Sequence, residues 1–178
     1  MGWIFTGNIS IFIVQIKKIQ MKKSEIVIPI IEKSLEELES SELELIEAAR
    51  EIAVSAYAPY SEFRVGAAAR LASGKIVTGS NQENAAYPSG LCAERTTLFY
   101  AGAQFPNDPV IALAITAIKK DGHFAQVAAP CGACRQVMLE VSDRFKRPFK
   151  VYLPSADSTL IIEDNRLLLP INFDASSL

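Results

Sequence analysis

Between Pro109 and Lys119 the chain carries no charge: Val110-Ile111-Ala112-Leu113-Ala114-Ile115-Thr116-Ala117-Ile118 is almost wholly apolar. A strand with no polar face has to sit inside a sheet with cover on both sides, so this run demands helices packed on a sheet. The flanking segments supply them. Leu35, Leu38, Leu43, Ile46, Ala49, Ile52, Ala53 and Ala56 recur at spacings of three and four through an acidic stretch, which predicts a helix. Ser41 followed by Glu44 matches a capping box and sets its start, and Pro59 its latest end. Val65–Leu71 and Lys75–Gly79 flank a Ser73-Gly74 turn and predict a hairpin. A helix from Cys92 to Ala101, the apolar strand, a helix from Cys131 to Val141, and short strands at Phe149–Leu153 and Thr159–Ile162 complete the order αββαβαββ, one sheet with helices packed on it. Leu167–Pro170 reads as a terminal turn.

Composition removes several function classes. Lys+Arg 18 against Asp+Glu 20 in 178 residues leaves a net charge of −2, with no footprint for a nucleic acid. The N-terminal stretch Trp3–Ile19 is rich in Ile and Phe. It is shorter than the roughly 20 apolar residues of a spanning helix and lacks the basic start and small-residue cleavage site of a secretory signal. Met21 is therefore read as an alternative start, residues 1–20 as adding little to function, and no membrane partner is expected. Ile26–Ile31 is β-prone, but Pro29 restricts it to an edge or an arm. Residues 1–40 form an extension and 41–178 the functional domain. Three cysteines, an odd number without a targeting signal, point to the cytoplasm rather than to a disulfide framework.

Those cysteines carry the chemistry. Cys92-Ala93-Glu94 and Pro130-Cys131-Gly132-Ala133-Cys134 each stand where a loop becomes a helix. Sulfurs there face the positive end of a helix dipole, which favours thiolates. Cys92, Cys131 and Cys134 make three ligands, and three protein ligands with an open fourth position is the pattern of a catalytic zinc. Glu94, two residues past Cys92, belongs beside that open position, where a carboxylate can take a proton from water and hand it on. Three thiolates leave the site with excess negative charge, so Arg95 and Arg135, each directly after a residue of the motifs, are candidate donors to the sulfurs. Two other readings stay open on these residues alone. Cys131–Cys134 has the spacing of a thioredoxin-type redox pair, although Pro130 stands where that motif has Trp, and Cys92 and Glu94 then have no role. A structural Cys₃His zinc would need His123, which sits next to the Asp121-Gly122 turn and reads as a surface residue.

Taken together, four blocks resemble the cytidine deaminases of the small, homotetrameric, three-cysteine kind: Ala56–Ala68 (AYAPYSEFRVGAA), Asn81–Pro88 (NQENAAYP), Cys92–Thr96 (CAERT) and Pro130–Gln136 (PCGACRQ). The resemblance runs from about Ser41 to Phe173. It implies a three-layer α/β/α sandwich with a mixed sheet of about five strands and the zinc site at two helix N-termini. It also implies one Zn²⁺ per subunit, a nucleoside substrate in pyrimidine salvage, and a homotetramer with shared active sites. Residue by residue, Asn81 and Glu83 match a pair that grips the ribose hydroxyls, Phe63 an aromatic flanking the pyrimidine, and Ala93 an amide that meets the base. Ala86 and Tyr87 match residues that reach a neighbouring subunit's site, and Phe173, in Leu168-Leu169-Pro170-Ile171-Asn172-Phe173, a ring that stacks on the base from another subunit. Arg64 departs from the family's usual Pro, and the first forty residues have no counterpart in it. Three rivals compare poorly: a deaminase of another aminopyrimidine such as blasticidin S makes less use of Asn81 and Glu83, a nucleic-acid editor needs a basic groove, and a silent binding module has no need of Glu94.

Overall fold

The computed structural model describes residues 23–178; the readings placed on residues 1–20 and on Met21 lie outside them. The elements are β1 (Ile31–Ser34), α1 (Ser40–Ala53), β2 (Arg64–Leu71), β3 (Ile76–Ser80), α2 (Ala93–Gln104), β4 (Val110–Ile118), α3 (Gly132–Phe145), β5 (Lys150–Pro154) and β6 (Ser158–Ile162). They form one sheet in the order β1-β6-β5-β4-β2-β3. Only β4 and β5 run parallel; the other neighbours are antiparallel. The sheet has six strands, one more than the about five expected. The added one is β1, which pairs with β6 from Ile31 onward. It starts just past Pro29, whose missing N–H cannot join a ladder, so the strand lies C-terminal to the β-prone run read from sequence.

Alternation along the strands splits the core in two. On one face Ala68, Ala112, Ala114, Tyr152 and Ile161 pack against Leu45, Ile46 and Ala49 of α1. On the other, Ala67, Ala69, Leu71, Leu113, Ile115 and Val151 pack against Leu98 and Ala101 of α2 and Met138 of α3. This is the three-layer α/β/α arrangement, with β4 buried along almost its whole length. α1 lies very close to the sheet at Gly66: a Cβ there would come within 2.1 Å of the Ala49 carbonyl, so only glycine fits. The start of α1 is held by Glu39 and Glu42 rather than by Ser41 and Glu44: the Glu39 N–H donates to the Glu42 carboxylate at 3.0 Å. The helix also stops at Ala53, before Pro59, because the Tyr57 N–H leaves it to donate to the Asn81 carbonyl.

Glu42 fastens β1 to this frame. Its buried carboxylate accepts from Lys33 on β1 and from the Tyr152 hydroxyl on β5, each at 3.0 Å. Burial alone would raise its pKa, but the Glu39 N–H, Lys33 and Tyr152 outweigh that and hold it below the ordinary carboxylate value. Among the described residues no helix is long and apolar enough to cross a membrane.

Candidate active site and metal centre

The helices of the second core face bring the cysteines together. Cys92 is the N-cap of α2 and Cys131 the N-cap of α3, with Cys134 in the first turn of α3. Both caps are extended backbone, so each sulfur sits at the mouth of a helix whose first N–H groups are unsatisfied. The Cys92 and Cys131 sulfurs are 3.9 Å apart and those of Cys131 and Cys134 3.5 Å. All three lie within 4.8 Å of one another. Tetrahedral zinc with Zn–S bonds of about 2.3 Å sets sulfurs about 3.8 Å apart, so the cluster fits zinc, whereas a disulfide holds them at about 2.05 Å. His123 is exposed and lies outside the cluster.

The charges around the cluster are unequal. Cys134 is fully buried, Cys92 partly buried and Cys131 exposed. The Cys92 thiol is pulled down to about 5, chiefly by its hydrogen bond with Cys134 and then by Arg95. The Arg95 guanidinium donates to the Cys92 sulfur at 3.6 Å. Cys134 is pushed the other way by the same hydrogen bond and by burial. Burial and the neighbouring Cys92 thiolate raise Glu94 above the ordinary carboxylate value. Arg135 does not join Arg95 behind the sulfurs. Its Nε donates to the Pro130 carbonyl at 2.9 Å and its Nη1 to the Leu168 carbonyl at 3.0 Å, because two main-chain oxygens offer stronger acceptors than a thiol.

A cleft of about 400 Å³ opens onto the cluster, lined by Phe63, Asn81, Glu83, Cys92, Glu94 and Cys131, with Ile115 of β4 in its wall. Asn81 is held at both ends of its amide: Oδ1 accepts from the Val65 N–H at 2.7 Å and Nδ2 donates to the Phe63 carbonyl at 3.0 Å. Glu83 accepts from the Tyr60 N–H at 2.9 Å and from the N–H and hydroxyl of Ser61. The two side chains therefore splint the loop that presents Phe63, and these bonds hold Glu83 below the ordinary carboxylate value, the Ser61 hydroxyl contributing most. Ala93 is fully buried beside Glu94. Ala86, Tyr87 and Phe173 do not line this cleft; Tyr87 and Phe173 are exposed, with Tyr87 edge-on to Tyr60.

Residues 39–147 match the model of the cytidine and deoxycytidylate deaminase zinc-binding region. The chain belongs to that family. It is similar to the cytidine deaminase of Halalkalibacterium halodurans, 40% identical over 75% of this chain and 95% of the relative. It is also similar to a probable cytidine deaminase of Dictyostelium discoideum, 35% identical over 75% and 84%. Among solved structures, the cytidine deaminase of Burkholderia pseudomallei superposes with a TM-score of 0.63 at 41% identity, covering 74% of this chain and 98% of that one. That of Mycobacterium tuberculosis gives 0.58 at 34% identity, covering 74% and 96%.

The zinc-binding match starts at the cap of α1 and ends just after α3, so it spans both cysteine-bearing helix starts of this deaminase. Sequence reasoning missed Ser61 and the Val127-Ala128-Ala129 wall of the cleft. Ser61 lies within Ala56–Ala68, but nothing local shows that it meets Glu83. The Val127–Ala129 wall does have a sequence signal: a small apolar stretch leading directly into Pro130-Cys131.

Proposed function

We propose that this chain catalyses the zinc-dependent hydrolytic deamination of cytidine and 2′-deoxycytidine to uridine and 2′-deoxyuridine, serving pyrimidine salvage. Family membership together with the three-sulfur cluster beside the buried Glu94 supports this reading. The observation that carries it is the cleft in which Phe63, Asn81, Glu83 and Glu94 surround those sulfurs. Cys92, Cys131 and Cys134 would hold one zinc per subunit. Zinc, when bound, makes a water more acidic and more nucleophilic at neutral pH.

The chain's own residues do the rest. Glu94 accepts a proton from the attacking water, and its burial makes it hold a proton more readily than an ordinary carboxylate. It passes the proton to N3 of the pyrimidine as the water oxygen bonds to C4. The second water proton then travels by the same carboxylate to the C4 amino group, the C4–N bond breaks, and ammonia leaves. Phe63 bounds the flat base, Asn81 and Glu83 face the ribose while holding the Phe63 loop, and the Ala93 amide meets the base. Arg95 offsets the charge of the sulfurs through Cys92. Residues 41–178 form the catalytic unit, which works in the cytoplasm as a homotetramer. Ala86, Tyr87 and Phe173 serve a neighbouring subunit's cleft, which accounts for their exposure in one copy of the chain.

A substrate panel tests this. The purified zinc-loaded protein converts cytidine and 2′-deoxycytidine at comparable kcat/KM, seen as loss of cytidine's ultraviolet absorbance, and leaves blasticidin S and cytosine at least about 10²-fold behind, because a substrate without the ribose forgoes the contacts that Asn81 and Glu83 offer it. Preference for blasticidin S or free cytosine would overturn the assignment of Asn81 and Glu83.

A further inference from the structure

The C-terminal tail is fastened to α3 at several points. The fully buried Asn165 accepts from the Ser142 hydroxyl at 2.7 Å and from the Phe149 N–H at 3.0 Å, and donates to the Met138 carbonyl at 2.9 Å. Further along, the Leu168 carbonyl accepts from Arg135 Nη1 at 3.0 Å. At the end, the Phe173 carbonyl accepts from Gln136 Nε2 at 2.8 Å. These two donors are the residues that follow Cys134 near the start of α3. The same Arg135 guanidinium also donates through Nε to the Pro130 carbonyl, one residue before Cys131. One planar, rigid group thus spans the loop that presents a zinc ligand and the turn that launches the tail.

We infer that Arg135, with Gln136, couples the seating of the C-terminal tail to the conformation of the Pro130–Cys134 metal loop, and is a positioning residue for Phe173. The inference rests on the reading that Cys131 and Cys134 hold zinc. A guanidinium has a fixed fork, so two carbonyls bound to one fork are held at a fixed separation. Ordering Pro130 when the sulfurs close on the metal therefore orders Leu168. By linkage the dependence is mutual: a seated tail favours the closed loop by the same factor. An aromatic delivered from a flexible tail would be a poor wall for a base. This strap fixes the tail at the helix that carries two of the three sulfurs, so the ring is placed when the metal is.

Hydrogen exchange at the Leu167, Leu168, Leu169, Asn172 and Phe173 amides of the full chain, with zinc bound and after chelation, tests this without reference to turnover. In the parent protein, zinc is expected to slow exchange of these amides about tenfold, the effect of one hydrogen bond from a charged donor. In Arg135→Gln and in Arg135→Lys the tail exchanges fast in both states and the zinc dependence disappears, since Lys keeps the charge but lacks the fork. Kinetically, both variants raise KM for cytidine about tenfold while kcat changes little, the pattern of lost positioning rather than lost chemistry. Gln136→Ala, which leaves the guanidinium in place, keeps the zinc dependence at Leu167–Leu169 and loses it at Phe173. A tail whose exchange is the same with and without zinc in the parent would overturn the coupling. So would a lysine at position 135 that restores what glutamine loses, because that would make charge the function. The exchange measurement stands even if cytidine is not the substrate, so its failure is separate from failure of the functional reading.

Discussion

The starts of α2 and α3 look alike in sequence and do different work. Each opens with a cysteine at the N-cap and carries an arginine one turn later: Cys92 with Arg95, Cys131 with Arg135. At α2 the arginine turns back to the sulfur and the next carboxylate, Glu94, is buried beside it. At α3 the arginine turns away to two carbonyls and the helix contributes two sulfurs. Spacing does not explain the contrast: Arg95 lies three residues from Cys92 and Arg135 four from Cys131, both spacings that share a helix face. It comes from the tail, which brings the Leu168 carbonyl within reach of Arg135. One helix start turns its arginine to a sulfur; the other ties its arginine to the main chain.

The largest effect that separates the two is at Arg95. Arg95→Gln removes the donor to Cys92 and is expected to cost about 10–100-fold in zinc affinity or turnover, read by competition with a chromogenic chelator. Arg135→Gln, by the linkage through the tail, should cost no more than about tenfold in the same assay, and a larger loss there than in Arg95→Gln would break the comparison. Next come the Arg135 variants, whose expected signature is a raised KM and a freed tail. The smallest effect should fall outside both helix starts. Glu42→Gln weakens bonds to Lys33 and Tyr152 and is expected to lower stability by about 1.5–3 kcal/mol at neutral pH, read as a shift in urea midpoint, with KM and kcat unchanged. Because Glu42 is held below its unfolded pKa, its stabilisation is present above the unfolded carboxylate value and lost as pH falls through the folded one. The Gln variant should therefore show a shallower loss of stability on acidification than the parent.

What the sequence revealed followed from how local each signal is. The buried strand β4, the β2–β3 hairpin around Gly74 and the two cysteine-bearing helices were readable because periodicity and motif act within a few residues. β1 was displaced from the run that suggested it, since its pairing with β6 is set some 130 residues away in the chain and Pro29 blocks the more apolar segment. The cap of α1 moved because Glu42 is drawn inward by Lys33 and Tyr152, partners that no local pattern reveals. The three sulfurs and Glu94 converge as their motif required. Arg135 did not follow Arg95 because one of its two acceptors, the Leu168 carbonyl, belongs to a turn more than thirty residues on. The use of Asn81 and Glu83 as loop splints was invisible for the same reason: their partners, Tyr60, Ser61, Phe63 and Val65, meet them only in the fold.

The central claim is that Glu94 moves the protons of deamination beside a three-sulfur zinc site, and Glu94→Gln tests it most directly. The variant is nearly isosteric, so it should keep one zinc per chain by elemental analysis and an unchanged thermal midpoint. Its cytidine turnover, followed in the ultraviolet beside the parent, should fall by at least about 10²-fold, the lower end of what a positioned acid–base group supplies. Zinc-loaded Glu94→Gln turning over cytidine at the parental rate would contradict the account.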